Sequence, residues 1–167
     1  IREGEIQKNL IGEFQKNNIE SFWGEPLIKI DHSSGAIVCK TSKQTLQAKM
    51  IIGCDGMNSK VRELAEINFR SWSYNQTAIV TNFKTEINDN CIKQTFTSIG
   101  PLALLPIKED ESTMIWSIDD DVSYKFISMS ENEFTAEVKN KFSEHIGKLK
   151  MLSKRQHFPL HLSLIHI

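Results

Sequence analysis

The residues best suited to bind a ligand lie in one short segment. The apolar run Met50–Cys54 is followed by an Asp55-Gly56 pair and then by a predicted helix, Ser59–Ala65. Asp-Gly is typical of tight turns. Gly53 and Gly56 carry no Cβ, so a ligand or a second stretch of backbone can approach them closely. The segment therefore predicts a strand, a turn and a helix start that meet at an accessible point.

Two groups at this junction could hold a dinucleotide. Free amides at a helix start attract anions, helped by roughly half a positive charge from the helix dipole. The Asp55 carboxylate can accept hydrogen bonds from sugar-like hydroxyls. A ligand with both a diphosphate and such hydroxyls would suit the site. The simpler alternative is an ordinary strand-turn-helix junction in which Asp55 only caps the turn.

The elements around this junction indicate an α/β fold up to about residue 65. Periodicity predicts a helix over Glu3–Asn17. Met50–Cys54 is apolar without alternation, which is typical of a strand buried on both faces of a parallel sheet. Three further extended pieces are predicted, with a turn at residues 31–35: Ile19–Trp23, Leu27–Asp31 and Ala36–Lys40.

From about Glu66 the pattern changes to a mostly antiparallel sheet with one covering helix. Alternation and apolar runs predict its strands. They are Gln76–Thr85, the residues around 92–97, Pro101–Ile107, Met114–Ile118 and Gln156–Leu160. Ser130 and Glu133 have the spacing of a capping box, which predicts a helix start, and Gly147 is a plausible stop. The acidic run at residues 119–121 is typical of a solvated turn.

The composition excludes several classes of function. Twenty basic residues nearly cancel 21 acidic ones, so no basic surface for nucleic acid is indicated. The three cysteines are far apart in sequence, which predicts neither a disulfide framework nor a zinc site, and favours a reducing compartment. His157 and His161 flank Pro159, which argues against a helical metal pair. No apolar run is long enough to predict a membrane-spanning helix.

The whole segment resembles a known nucleotide motif. The second nucleotide motif of the flavoprotein aromatic hydroxylases reads Gly-x-Asp-Gly-x-x-Ser-x-x-Arg after an apolar strand. Its fixed positions are all present here: Gly53, Asp55, Gly56, Ser59 and Arg62. The resemblance implies that these five residues bind FAD, with NAD(P)H as co-substrate.

Two later segments resemble the ubiquinone-biosynthesis hydroxylases within that superfamily. Trp72–Val80 is similar to their Trp-x-Tyr-x-Gln-x-Ala strand, and Gln94–Pro106 to their Phe…Gly-Pro-Leu-Ala-x-Leu-Pro segment. The resemblance implies a set of substrate-binding residues, with core packing as the open alternative for each. The set is Gly100, Pro101, Leu102 and Leu104.

The resemblance also implies a domain organisation. Residues 1–65 would be part of a Rossmann-like FAD/NAD(P)-binding domain, residues 66–160 a substrate-binding sheet domain, and residues 161–167 a non-native tail. The family's first motif, Gly-x-Gly-x-x-Gly, would lie before Ile1, and its third after Leu160. We therefore expect this chain to be an internal fragment that is inactive alone.

The function implied is that of an FAD-dependent monooxygenase, in which NAD(P)H and O2 serve to hydroxylate an aromatic ring. Such chemistry rests on the flavin, so no catalytic side chain or metal is predicted. The implied substrate is a polyprenyl phenol of ubiquinone biosynthesis, handled by a cytoplasmic enzyme peripheral to the inner membrane, with biosynthetic partner proteins. The alternatives are another superfamily flavoprotein (a different aromatic hydroxylase or a geranylgeranyl reductase) and a non-catalytic α/β binding module.

Overall fold

A computed structural model describes residues 3–32, 35–87, 90–142 and 146–165. The chain divides into two units, and each is described by itself. The sheet unit is Trp72–Leu162, and the motif unit comprises the residues before Trp72 together with those after Leu162. The mixed α/β architecture confirms the predicted fold class.

The motif unit contains two helices and a small antiparallel sheet of order β1-β2-β3. Its elements are α1 (Glu3–Lys16), β1 (Leu27–Asp31), β2 (Ile37–Thr41), β3 (Thr45–Ala48) and α2 (Lys60–Leu64). The predictions of α1, β1, β2 and α2 are confirmed. The extended piece predicted at Ile19–Trp23 is wrong, and β3 was not predicted. Ser33 and Ser34 of the predicted turn lie outside the described residues.

A buried threonine fixes the turn between β2 and β3. The Thr41 hydroxyl donates to the Glu25 carboxylate at 3.0 Å and accepts the amides of Lys43 and Gln44 at 3.2 and 3.0 Å. Threonine at a turn forms such local bonds readily, because its hydroxyl reaches the backbone two and three residues ahead. The hairpin therefore depends on side-chain hydrogen bonds more than on a core.

The apolar run Met50–Cys54 is not a strand, so the prediction of a buried strand is wrong. Met50 is 71% exposed and Ile52 is 74% exposed. A strand needs a neighbour with which to exchange backbone hydrogen bonds. No strand among the described residues pairs with this run. Apolar composition alone, without such a neighbour, leaves the segment extended but unpaired.

The sheet unit is built on a six-stranded sheet of order β5-β6-β7-β4-β8, with β9 also paired to β4. Its strands are β4 (Phe69–Thr85), β5 (Lys93–Thr97), β6 (Gly100–Lys108), β7 (Glu111–Asp119), β8 (Leu149–Met151) and β9 (Gln156–Ile165). The β5–β6, β6–β7, β4–β7 and β4–β8 pairs are antiparallel, as predicted. The short strand β8 was not predicted, and β9 extends past Leu160.

Two helices of this unit are α3 (Asp120–Ser128) and α4 (Glu131–Phe142). The solvated turn predicted at residues 119–121 is wrong, because Asp119 is the N-cap position of α3 and the next two aspartates lie in its first turn. Carboxylates are favourable there because they face the positive end of the helix dipole. The capping box of α4 is confirmed: the Glu133 amide donates to Ser130 Oγ at 3.3 Å, and the Ser130 amide donates to Glu133 Oε2 at 2.9 Å.

Both helices contribute to the core over one face of the sheet, which we call the covered face. Trp116 is fully buried there, with its ring centroid 4.7 Å from that of Phe126 and 6.4 Å from that of Phe134. Alternate strand residues such as Phe83 and Leu102 point to the same side. The opposite face of the sheet carries no residue of this core, and we call it the open face.

Candidate functional site

The Asp55 carboxylate is exposed and accepts three local hydrogen bonds. It accepts the hydroxyl of Ser59, the amide of Lys60 at 2.6 Å and the amide of Val61 at 3.1 Å. The Ser59 hydroxyl, followed by the Val61 amide, holds the pKa of the Asp55 carboxyl below its usual range. Asp55 is therefore ionised at neutral pH and held in one orientation at the start of α2.

The first-turn amides of α2 are not available to an anion, so that part of the prediction is wrong. Lys60 and Val61 donate to Asp55, and the Arg62 amide donates to Ser59 Oγ at 3.1 Å. Asp55 therefore caps the start of α2 together with Ser59, the N-cap residue, and its contact with a ligand stays a prediction. The chain satisfies this helix start with its own carboxylate and hydroxyl.

The two glycines of the motif differ in what surrounds them. A Cβ on Gly53 would lie 3.0 Å from the Cβ of Val61, so this glycine permits the close approach of α2. Gly56 has a φ of +81°, and a Cβ there would have no neighbour within 4 Å. The backbone at Gly56 is therefore left-handed and open to solvent, as a close approach by a ligand would require.

The turn of the motif carries backbone amides that are free to donate. Within the described part of the chain, the amides of Gly56, Met57 and Asn58 donate no hydrogen bond. Arg62 braces this turn, because its guanidinium donates to the Met57 carbonyl at 2.5 Å and lies 3.9 Å above the centre of the Phe69 ring. The exposed turn, rather than the helix start, is the part of the motif that can receive a phosphate or a hydroxyl.

The predicted substrate residues of β6 lie on different faces of the sheet. Leu102 and Leu104 belong to the core of the covered face, at 0% and 3% exposed. Pro101 lies on the open face, because successive residues of a strand alternate. Whether these residues contact a substrate stays a prediction, but only Pro101 among the three faces away from the core.

Gly100 has a structural reason to be glycine. Its φ is +129°, and a Cβ there would lie 1.9 Å from the carbonyl oxygen of Ser117 on β7. No side chain fits such a gap between two strands. Gly100 therefore begins β6 and allows it to lie against β7, whatever its role toward a substrate.

The open face presents residues that the sequence did not single out. Paired residues of neighbouring strands point to the same side, so the register defines rows across the sheet. One row joins Val80, Ile115 and Ala103, and the next joins Asn82, Thr113 and Leu105. All six are partly accessible. The alternation within β6 could have located them in the sequence, because Ala103 and Leu105 must face away from Leu102 and Leu104.

Comparison with known proteins identifies the family. Residues 31–162, which include the whole motif and the open face, match the family described as FAD binding domain. The chain belongs to this FAD-binding family. The recognition made from the sequence motifs is therefore confirmed.

Individual relatives of this flavoprotein family agree. The chain is 32% identical over 120 residues to the ubiquinone hydroxylase UbiL of Rhodospirillum rubrum. The aligned region covers 71% of this chain and 28% of that protein. It is 32% identical over 131 residues to the mitochondrial ubiquinone biosynthesis monooxygenase COQ6 of Homo sapiens, covering 77% and 28%. The chain thus spans little more than a quarter of either relative.

The fold agrees with a solved flavoprotein. The flavin-dependent monooxygenase PieE, solved in complex with FAD and substrate, superposes with a TM-score of 0.77 over 99% of this chain and 31% of that one, at 8% identity. The described residues contain no helix long and apolar enough to cross a membrane. They also contain no group of three or more His, Cys, Asp or Glu residues placed to hold a metal ion.

Proposed function

We propose that this chain is part of an FAD-dependent, NAD(P)H-using monooxygenase that hydroxylates an aromatic ring. The observation that carries the proposal is the exposed Gly56 turn, whose amides donate to nothing among the described residues and lie beside a fixed carboxylate. Membership of the FAD-binding family and the names of the two relatives support the reaction class. The substrate we propose is a polyprenyl phenol of ubiquinone biosynthesis.

The motif residues fit FAD in a specific way. The amides of the Gly56 turn would donate to phosphate or hydroxyl oxygens of the cofactor. An ionised carboxylate has about four acceptor sites. Asp55 uses three of them, which leaves room for one ligand hydroxyl. Gly53, Ser59 and Arg62 would act by holding this turn in place rather than by touching the cofactor.

The chemistry divides between cofactor and protein. When bound, FAD would take reducing equivalents from NAD(P)H and activate O2 for transfer to the ring. The protein's part is to bind the ring, orient it and exclude water. The open face suits that part, since Val80, Ala103 and Ile115 form an apolar and partly accessible surface. We further propose that the protein is cytoplasmic, that it associates with the membrane surface where so apolar a substrate resides, and that it acts with biosynthetic partner proteins.

The proposal is tested in a full-length protein that carries this chain, compared with its Asp55→Ala variant. We expect the wild type to contain FAD, to oxidise NAD(P)H when a prenylated phenol is added and to release the hydroxylated product. The Asp55→Ala variant should lose most of its FAD, as measured by flavin released per protein on denaturation. Asp110→Ala is the matched control, because Asp110 is an exposed carboxylate of the sheet unit outside the motif.

Two outcomes would contradict the proposal at different levels. Unchanged FAD content in the Asp55→Ala variant would remove Asp55 from the site. A full-length wild type without FAD would favour the non-catalytic binding module. Turnover of an unrelated phenol, with none of the prenylated one, would favour another aromatic hydroxylase of the same family. The isolated chain itself is expected to be inactive, since it spans only 28% of the relatives named above.

A further inference from the structure

A polar pair lies at the edge of the apolar surface of the open face, between the apolar row and the charged pair Lys84 and Glu111. Asn82 on β4 and Thr113 on β7 lie directly opposite each other, and the Thr113 hydroxyl donates to Asn82 Oδ1 at 2.8 Å. Both side chains are half-buried. Within the described part of the chain, nothing accepts a hydrogen bond from the Asn82 Nδ2 amide. The pair therefore offers an unused donor beside a hydroxyl oxygen with a free lone pair.

The pair stands one step along the sheet from the apolar row. Val80, Ile115 and Ala103 lie two residues from Asn82, Thr113 and Leu105, respectively. Residues two apart on one face of a strand are separated by about 7 Å. A phenol whose oxygen met the polar pair would therefore extend its ring over the apolar row. A few polar groups at the edge of an apolar surface can orient a ligand in a pocket.

We infer that Asn82 and Thr113 bind the ring hydroxyl of the substrate and so select a phenol over a ring without that oxygen. A phenol hydroxyl both donates and accepts. The Asn82 amide would donate to it, and Thr113 Oγ1 would accept a hydrogen bond from it. The inference rests on the proposed function, from which it takes the aromatic substrate, and it adds the two residues that set specificity. No bond is made or broken at this pair.

The selectivity has a physical basis. A site that hydrogen-bonds a ligand hydroxyl rejects the analogue lacking it, because the polar groups of the site then lose water without gaining a partner. Truncating the pair should therefore weaken binding of the phenol, whereas binding of the analogue without the hydroxyl should stay the same or tighten. A merely structural role would change the binding of both ligands alike.

The test uses the full-length protein and two soluble probes, a short-chain prenylated phenol and the matching prenylated benzene. Binding of each is measured by equilibrium dialysis for the wild type and for the Thr113→Val and Asn82→Leu variants. Each variant should weaken binding of the phenol about tenfold and should not weaken binding of the benzene. Thr113→Ser keeps the hydroxyl and should restore binding of the phenol.

Thr95→Val is the matched control. Thr95 is a half-buried threonine on β5 that pairs with Leu102 and so points to the covered face. Its replacement should change the binding of neither probe. Circular dichroism of every variant shows whether the sheet is intact, and the Thr113→Ser variant keeps the test decisive if Thr113→Val does not fold.

The outcomes separate this inference from the proposed function. Equal weakening of both probes, or no preference of the wild type for the phenol, overturns the role of the pair. A wild type that hydroxylates the phenol, with variants that keep its preference, overturns the inference alone. A wild type without FAD that binds neither probe overturns both.

Discussion

The two units of the chain hold their structures by different means. In the sheet unit, large side chains such as Phe83, Trp116 and Phe134 are fully buried between the sheet and its helices. In the motif unit, Cys39 and Thr41 are the only buried residues among those described, and Trp23 is 66% exposed. Burying one large apolar side chain contributes roughly 1.5–3 kcal/mol, whereas a single hydrogen bond contributes about 1 kcal/mol.

The difference shows which unit carries its own stability. The sheet unit has a core, so its open face can stay apolar without collapsing. The motif unit relies on local hydrogen bonds, such as those of Asp55 and Thr41. Substitutions should therefore affect unfolding strongly in the first unit and weakly in the second.

The largest effect should follow from emptying the core of the sheet unit. Phe134→Ala removes a fully buried ring that packs against Trp116. We expect a loss of roughly 3–5 kcal/mol in the free energy of unfolding. Trp23→Ala in the motif unit should change it by less than about 0.5 kcal/mol. Urea unfolding followed by circular dichroism measures both, and equal losses would show that the motif unit has a core of its own.

The next effect concerns backbone fit rather than volume. Gly100→Ala combines a positive φ with a contact of 1.9 Å to the Ser117 carbonyl oxygen. We expect a loss of roughly 3 kcal/mol in the free energy of unfolding, because β6 must move away from β7. Gly56→Ala in the motif unit has a positive φ but no neighbour within 4 Å, so its loss should be near 1 kcal/mol.

Thermal unfolding of the two glycine variants checks this ranking. Gly12→Ala is the control, because Gly12 lies within α1, has open space around its Cβ position and should gain stability as a helical alanine. A Gly100→Ala variant as stable as the wild type would mean that β6 is free to shift its register.

Much of the sheet unit could be predicted from the sequence, because strand alternation and a capping box are local signals. Ser130 and Glu133 alone located the start of α4. The sequence could not show which face of the sheet the helices cover. Leu102 and Leu104 lie in the core between the sheet and its helices, and that core forms from residues distant in sequence, so the sequence left core packing and substrate contact as alternatives for them.

The candidate site was predicted in position but not in its hydrogen bonding. The motif residues do come together, since Asp55, Ser59 and Arg62 share one network with the turn. Which backbone amides are free depends on where the Asp55 side chain points. The Asp-Gly pattern is compatible with a carboxylate that points to the helix start and with one that points away from it. The strand predicted at Met50–Cys54 failed for a related reason, because pairing needs a neighbour that the run itself does not reveal.

The smallest predicted effect concerns two carboxyl groups, one in each unit, whose pKa values are lowered for different reasons. Hydrogen bonds from the Ser59 hydroxyl and the Val61 amide lower the pKa of Asp55. In the sheet unit, the hydrogen bond and charge of Lys84, 2.9 Å away, lower the pKa of Asp110. A carboxyl whose pKa is lower in the folded chain adds stability above about pH 4, and this is lost as the pH falls through the folded value.

Salt should separate these two carboxyls. Ions screen an exposed pair of opposite charges but have little effect on hydrogen bonds from a neutral hydroxyl and amides. Raising the NaCl concentration should therefore move the pKa of Asp110 toward its ordinary value and leave that of Asp55 low. NMR titration of the side-chain carboxyl carbons, with Asp55→Asn and Asp110→Asn to assign the signals, measures both. If the pKa of Asp55 rose with salt as much as that of Asp110, the turn at Gly56 would be held by long-range charge, and the motif unit would lose the local rigidity on which its cofactor site depends.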